Sequence, residues 1–308
     1  MEYYKSYDEI ISAAKSVPEK SVMAIAFPDA HSIEAALMAA DDGIIEPVLV
    51  GNAEEAKKIL KEMGRDSDGI RIVEAEDDVD SAAKAVELVR KGEANFLLKG
   101  KLDTKVILKA VVNKETGLGT GRIMSHFSLF EMPNYHKLVA IVDGGMMTYP
   151  DLAQKADIIR NTVSVFKALG YECPKVGVLA CVEKLNPKMP ETVEGDELKQ
   201  MNQRGEIVDC IVEGPISYDC ALSKEIADFK GFDSPCAGDC DILIVPNIHA
   251  GNLVGKAITI TAGGKMAGFI VGAKCPIALT SRGSTVEEKY TSIVLAALTA
   301  KGLQEELK

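Results

Sequence analysis

Apolar and polar positions follow two rhythms along this chain. Short apolar runs at residues 22–27, 47–50, 71–73, 96–98, 138–142, 176–180, 210–212 and 242–245 predict buried strands. Longer stretches with apolar residues three and four apart predict helices at 31–40, 53–63, 81–91, 104–112, 152–169, 194–203 and 221–229. Residues 123–130 read as a further strand. Local punctuation supports the boundaries. Ser6-x-x-Glu9 is a capping box opening a helix that ends before Pro18, Asp41-Asp42-Gly43 stops the second helix, and Gly64 lies just past the third.

Such βα alternation predicts an α/β fold, with a parallel or mixed sheet covered by helices on both faces. Pro133–Tyr135 marks the expected crossover between two lobes. It divides the chain into a first domain of residues 1–136 plus 270–308 and a second of 137–269. The closing helix, near 285–301, has an apolar stripe of Val286, Tyr290, Ile293, Val294 and Leu298 and is expected to pack back on the first lobe.

Composition narrows the function. The 308 residues are 47% hydrophobic and 26% charged, as in an ordinary globular enzyme. A net charge of −11 excludes sequence-independent nucleic-acid binding, and any anionic substrate needs a local positive pocket. The seven cysteines form no C-x-x-C and read as buried, reduced thiols. Met1-Glu2-Tyr3-Tyr4-Lys5-Ser6 has no apolar core of a signal peptide, and no run reaches the length of a membrane span. A cytoplasmic protein with no metal site is expected.

Candidate chemistry concentrates near residue 280. Residues 276–288 read as a buried strand, a tight turn and a helix start. The turn offers the Ser281 hydroxyl and the Arg282 guanidinium, and a phosphate-sized anion fits where free helix N–H groups and an arginine converge. Glu288 is close enough in sequence to act as a base. Thr285-x-x-Glu288 and Ser284-x-x-Glu287 are also capping-box patterns, so cap and base compete for the two glutamates. No G-x-S-x-G surrounds Ser281, which favours hydrogen bonding over covalent catalysis.

Three weaker signals follow. Lys99-Gly100-Lys101 lies just past a strand's carboxyl end, where α/β sheets bind ligands, although both lysines also suit a solvated surface. Gly117–Gly121 followed by Arg122 matches neither a P-loop nor G-x-G-x-x-G, and a helix end plus a hairpin-like turn accounts for most of its glycines. Asn252 and Lys256 suit a ligand at a helix start, or Asn252 is simply that helix's cap.

Together Thr280-Ser281-Arg282, residues 237–242, Pro246-Asn247-Ile248-His249-Ala250-Gly251-Asn252 and Thr120-Gly121-Arg122-Ile123-Met124-Ser125-His126 resemble the phosphate acetyltransferase/butyryltransferase family. Asn186-Pro187-Lys188-Met189-Pro190 and Glu213-Gly214-Pro215 fit it too. The likeness runs collinearly over nearly the whole chain and is nearest the butyryl branch. It implies a two-domain, three-layer fold like isocitrate and isopropylmalate dehydrogenases, with the active site in the interdomain cleft. It also implies reversible transfer of a short acyl group, butyryl or alternatively acetyl, between coenzyme A and inorganic phosphate, without metal or bound cofactor. Ser281 and Arg282 match the family's catalytic pair. Glu288 stands where the acetyl branch has aspartate, and the base stays open between Glu288 and Glu287. The implied substrate-binding residues are Lys99, Gly100, Arg122, Ser125, His126, Asn252, Lys256 and Thr280. A homodimer or higher multiple is expected. The rivals are a metal-dependent dehydrogenase on the same fold, which needs a cluster of aspartates or histidines, and a non-catalytic sensor of coenzyme A.

Overall fold

A computed structural model describes residues 3–280 and 283–306. Segment 7–122 carries α1 (Tyr7–Lys15), β1 (Ser21–Ala26), α2 (Ala30–Asp41), β2 (Ile45–Gly51), α3 (Ala53–Glu62), β3 (Arg71–Glu74), α4 (Asp78–Arg90), β4 (Phe96–Lys99) and α5 (Thr104–Val111). Segment 123–266 adds β5 (Ser125–Glu131), β6 (Val139–Val142), α6 (Leu152–Ala168), β7 (Lys175–Leu179), α7 (Pro190–Gln203) and β8 (Ile211–Ile216). It continues through α8 (Tyr218–Leu222), α9 (Lys224–Phe229), β9 (Ile242–Ile244), α10 (Ile248–Lys256) and a π-helical turn, Ala257–Thr261. The chain closes with β10 (Lys265–Val271), β11 (Ile277–Ala278) and α11 (Val286–Glu306).

Two compact units result. The first joins 7–122 to 267–306, and the second joins 3–6 to 123–266. The divisions thus fall at 122/123 and 266/267 rather than at the expected 136/137 and 269/270. The cause is β5, which pairs antiparallel with β6 through Leu129↔Ala140 and Phe130↔Val139 and so goes with the residues that follow it. Residues 3–6 join the second unit because the Leu138 N–H donates to the Tyr4 carbonyl at 2.8 Å and the Tyr4 N–H to the Tyr171 hydroxyl at 2.9 Å.

In the first unit the strands lie in the order β3-β2-β1-β4-β11-β10. All pair in parallel except β10, which meets β11 antiparallel. Met23–Ala26 and Phe96–Leu98 are wholly buried, which is why their sequence is continuously apolar instead of alternating. α11 packs against α1 and α2 as well as β1, β4 and β11. Tyr290 through Ala297 are therefore all buried, and polar ones are satisfied: the Thr291 hydroxyl donates to the Glu287 carbonyl one turn back, and Ser292 Oγ accepts the Gly268 N–H from β10. The closing helix does pack on 7–122, as expected.

In the second unit the order is β5-β6-β9-β7-β8, with only β5 antiparallel to its neighbour. The expected helix 221–229 is two short helices, because Ser223 interrupts it and caps α9 by accepting the Ile226 N–H. α7 opens earlier than expected, with Pro190 in its first turn, where a missing N–H costs nothing. Among the described residues no helix is long and apolar enough to cross a membrane.

Candidate active site

In the first unit β2 and β3 extend to one side of β1 while β4 and β11 extend to the other. The carboxyl ends of strands at such a reversal are the usual ligand site of an open α/β sheet. Here β1 runs into Phe27-Pro28-Asp29 and β4 into Lys99-Gly100. The Gly100 N–H donates to the Ala26 carbonyl at 2.9 Å and the Lys101 N–H to the Phe27 carbonyl at 2.8 Å. A Cβ on Gly100 would lie 2.1 Å from the Phe27 oxygen, so this approach admits only glycine. Phe27 itself sits at φ +51°, a costly conformation held by N–H bonds to the Val50 carbonyl and to Ser81 Oγ.

Two buried lysines meet this edge. Lys99, 7% exposed, donates its ammonium protons to the carbonyls of Gly100 and Leu102, each at 3.2 Å. This replaces the solvated-surface reading of Lys99; Lys101, next to it, is exposed. Lys289, also 7% exposed, donates from Nζ to Thr280 Oγ1 at 2.9 Å. Burial pushes the Lys289 ammonium below its usual range, and the carboxylates of Asp29 and Glu288 work in the opposite direction. β11 lies beside β4, with Ile277 opposite Leu97 and Ala278 opposite Leu98, and Thr280 follows two residues past that pairing. Ser281 and Arg282 lie outside the described residues.

Of the two capping boxes the sequence offers, Thr285–Glu288 is formed. The Thr285 N–H donates to Glu288 Oε2 at 3.0 Å, and the Glu288 N–H to Thr285 Oγ1 at 3.1 Å. Two N–H groups at this helix start, expected to face an anion, are thereby taken by the protein itself. Both Glu287 and Glu288 are exposed. Arg122 lies on the surface, with Nη1 3.9 Å from Glu306 Oε1, after a turn closed by the Leu118 N–H on the Val111 carbonyl at 2.7 Å. The glycines before it therefore do serve a helix end.

In the second unit Ser125, His126 and Asn252 gather near the carboxyl end of β6, and Lys256 does not. Ser125 is buried, and its Oγ accepts the Asn161 amide at 3.1 Å. The His126 N–H donates to Asp143 Oδ2 at 2.8 Å, and His126 Nδ1 shares a hydrogen bond with Ser128 Oγ at 2.8 Å. Burial lowers the pKa of this imidazole against the pull of Asp143, so it is neutral at pH 7. Asp143 Oδ1 also takes the N–H groups of Gly145 and Met146, at 2.8 Å each, which fixes the turn after β6. A Cβ on Gly251 would fall 2.7 Å from the Gly144 Cα, so α10 rests directly on that turn.

Asn252 is not the helix cap. That role belongs to Asn247, whose Oδ1 accepts the Ala250 N–H at 3.1 Å. Asn252 stands a turn and a half inside α10, its amide 3.4 Å from the Gly144 carbonyl, and Lys256 is exposed at the helix end. The sequence reading missed Asp143, Asn161, Asp29 and Lys289. An Asp-Gly-Gly turn directly after an apolar strand was the available signal for Asp143, and Lys289 had none.

Two charged clusters stand elsewhere in the second unit. Ahead of β6 and β9, Lys137, its side chain 3% exposed, pairs with Asp239 at 2.8 Å and Asp241 at 2.7 Å. Burial works to raise the Asp239 carboxyl, but bonds from Lys137 and Lys175 overcome it and bring it to about 2. Glu183, Asp219 and Cys220 bring oxygen and sulfur atoms within 4.8 Å of one another, and the Lys230 ammonium sits 2.9 Å from each carboxylate.

Comparison with known proteins is consistent across the chain. Residues 78–297 match the family described as phosphate acetyl/butaryl transferase. A phosphate butyryltransferase of Clostridium acetobutylicum is 42% identical over 96% of this chain and 98% of its own. A phosphate acetyltransferase of Thermotoga maritima is 40% identical over 95% of this chain and 99% of its own. The crystal structure of a branched-chain phosphotransacylase from Enterococcus faecalis V583 superposes with a TM-score of 0.80 at 29% identity, covering 91% and 99% of the two chains. The fold extends to a 4-hydroxythreonine-4-phosphate dehydrogenase of Klebsiella pneumoniae, with a TM-score of 0.56 at 12% identity over 92% and 100% of the chains.

Proposed function

This chain belongs to the phosphate acetyl/butaryl transferase family, and from that premise we propose that it transfers a butyryl group reversibly between coenzyme A and inorganic phosphate. The observation that carries the reading is a family match spanning residues of both units, supported by the buried Lys99 at the carboxyl end of the strand beside β11.

A phosphate oxygen attacks the thioester carbonyl, the carbon–sulfur bond breaks, and the thiolate leaves to be protonated. In reverse, a base takes the coenzyme A thiol proton, whose unperturbed pKa is near 8.5. Arg282 and Lys99 hold the phosphate and offset the charge on its oxygens, and Ser281 and Thr280 hydrogen-bond it. Glu288 serves as the base after giving up its cap on Thr285, and Glu287 is the second candidate. Neutral His126, with Ser125, Asn252, Lys256 and Arg122, contacts the thioester and its carrier. Holding both substrates in line contributes roughly 7–11 kcal/mol. All seven cysteines are free thiols, five of them buried as expected and Cys173 and Cys181 exposed against expectation; free thiols fit a reducing cytoplasm, and a homodimer or a multiple of one is part of the same reading.

The near-equal likeness to an acetyltransferase supports acetyl-CoA as the second substrate reading. Coenzyme A release from acetyl-, propionyl-, butyryl- and isobutyryl-CoA, with and without phosphate in chelator-treated buffer, tests both. Phosphate-dependent release fastest with butyryl-CoA is expected. A maximum with acetyl-CoA changes the substrate, and no phosphate-dependent release overturns the transferase reading. Glu288→Gln should lower turnover about 10²–10⁴-fold, whereas a loss seen only in Glu287→Gln moves the base.

A further inference from the structure

β6 and β9 run parallel in the second unit, and the segments that leave their carboxyl ends are tied to each other. The Ile248 N–H donates to the Thr148 carbonyl at 3.0 Å, and the Asn252 amide stands 3.4 Å from the Gly144 carbonyl. On this braced surface Tyr149 is 70% exposed. Its hydroxyl shares a hydrogen bond with His249 Nε2 at 3.0 Å, and the two ring centroids are 5.7 Å apart at 52°. Leu253, 69% exposed, lies four residues on from His249 and so on the same face of α10. A lone exposed tyrosine needs no explanation. This one stands at strand carboxyl ends, where open α/β sheets take ligands. The stretches that carry it and His249, residues 144–150 and 242–266, also contain no Asp or Glu, in a chain whose acids number 46 of 308. The flanking Asp143 and Asp151 both accept backbone N–H groups. A ligand that joins phosphates to a flat ring suits such a face.

Resting on the acyl transfer proposed above, we infer that Tyr149 is the stacking platform for the adenine ring of coenzyme A, held in place by His249 and flanked by Leu253. The tyrosine face offers the purine a flat apolar surface, and the bond to His249 fixes the ring before the carrier arrives, which lowers the ordering cost of binding. The competing occupants are the pantetheine arm and a second copy of this chain. A carrier stripped of its nucleotide separates the first, and sedimentation the second.

The test compares butyryl-CoA with butyryl-pantetheine, which keeps the thioester and the arm and lacks the nucleotide. Tyr149→Ala should lower kcat/KM for butyryl-CoA roughly 5–100-fold, the loss of one stacked base, and leave kcat/KM for butyryl-pantetheine and the KM for phosphate within about twofold of wild type. Tyr149→Phe keeps the ring face and should retain most of the rate with butyryl-CoA. His249→Ala, which only frees the ring, should cost less than Tyr149→Ala. Equal losses with both thioesters would put the contact on the arm or the reacting centre and overturn the inference. Unmoved rates overturn it too, and a changed sedimentation coefficient with unmoved rates would assign the face to a second copy. Equal wild-type kcat/KM values for the two thioesters would show that the nucleotide contributes nothing, and would take down this inference alone. Wild-type enzyme without phosphate-dependent release would take down the transferase reading and this inference together.

Discussion

Lys137 and Lys289 are both buried lysines at the edge of a sheet, and they differ in which edge and in what they hold. Lys137 stands ahead of β6, at the amino ends of the strands, in direct ion pairs with Asp239 and Asp241. Lys289 meets the carboxyl end of β11 and donates to the hydroxyl of Thr280. The first arrangement closes on itself and ties residues 137, 175, 239 and 241 together. The second joins an ammonium to a neutral hydroxyl, with the Asp29 and Glu288 carboxylates acting on it from farther off. Burial by itself is shared by both lysines; what differs is the partner, direct carboxylates for Lys137 and a hydroxyl for Lys289.

The largest expected effect falls on the closed cluster. Lys137→Met leaves Asp241 buried without its cation and should cost about 3–5 kcal/mol in guanidinium unfolding, with KM values of the folded fraction unchanged. A shifted phosphate KM in that variant would break the distinction. Next comes Arg282→Ala, expected to lower turnover about 10²–10³-fold, or roughly 2.7–4 kcal/mol, with little change in melting temperature. Thr285→Ala removes only the cap and should cost about 0.5–2 kcal/mol of stability while turnover holds, because it frees the Glu288 carboxylate. A fall in turnover matching that of Glu288→Gln would show that the cap itself positions the base.

The smallest effect concerns pH. The folded Asp239 carboxyl titrates at about 2, below its unfolded value, so its contribution to stability is complete above the unfolded pKa and disappears as pH falls toward 2. The stability gap between wild type and Asp239→Asn should be constant from pH 7 to about 5 and close below about 4. A gap that widens on acidification would mean that Asp241, whose own carboxyl burial pushes up, governs the cluster instead.

The strands that proved easiest to see in the sequence are those buried on both faces. Residues 22–27 and 96–98 form unbroken apolar runs because helices cover both sides, and Lys99-Gly100 stood out because it follows such a run. The Thr285–Glu288 box was legible for a similarly local reason, since its spacing alone allows it. β10 was not visible: Gly268 sits at its centre and no alternation marks its faces. Asn252 was misplaced because two asparagines five residues apart can each begin a helix, and only the turn after Pro246 selects Asn247. Lys289 and Asn161 were silent for a different reason. Each lies within a helix whose pattern packing explains, and what the polar end reaches lies outside that helix: Ser125, 36 residues away, for Asn161, and Thr280, beyond the preceding turn, for Lys289.

The β4–β11 pairing also sets a timetable for synthesis. Leu97 is paired with Ile277, 180 positions later by subtraction, so the emerging chain shows β4 as a bare apolar edge until nearly all of it has left the ribosome. At ~5–20 residues per second that exposure lasts on the order of 10–40 s. Nascent chains halted before residue 277 would carry the set β3-β2-β1-β4 with an open hydrogen-bonding flank on β4 and no α11 to cover it, which makes them natural clients for chaperones and poor candidates for truncation.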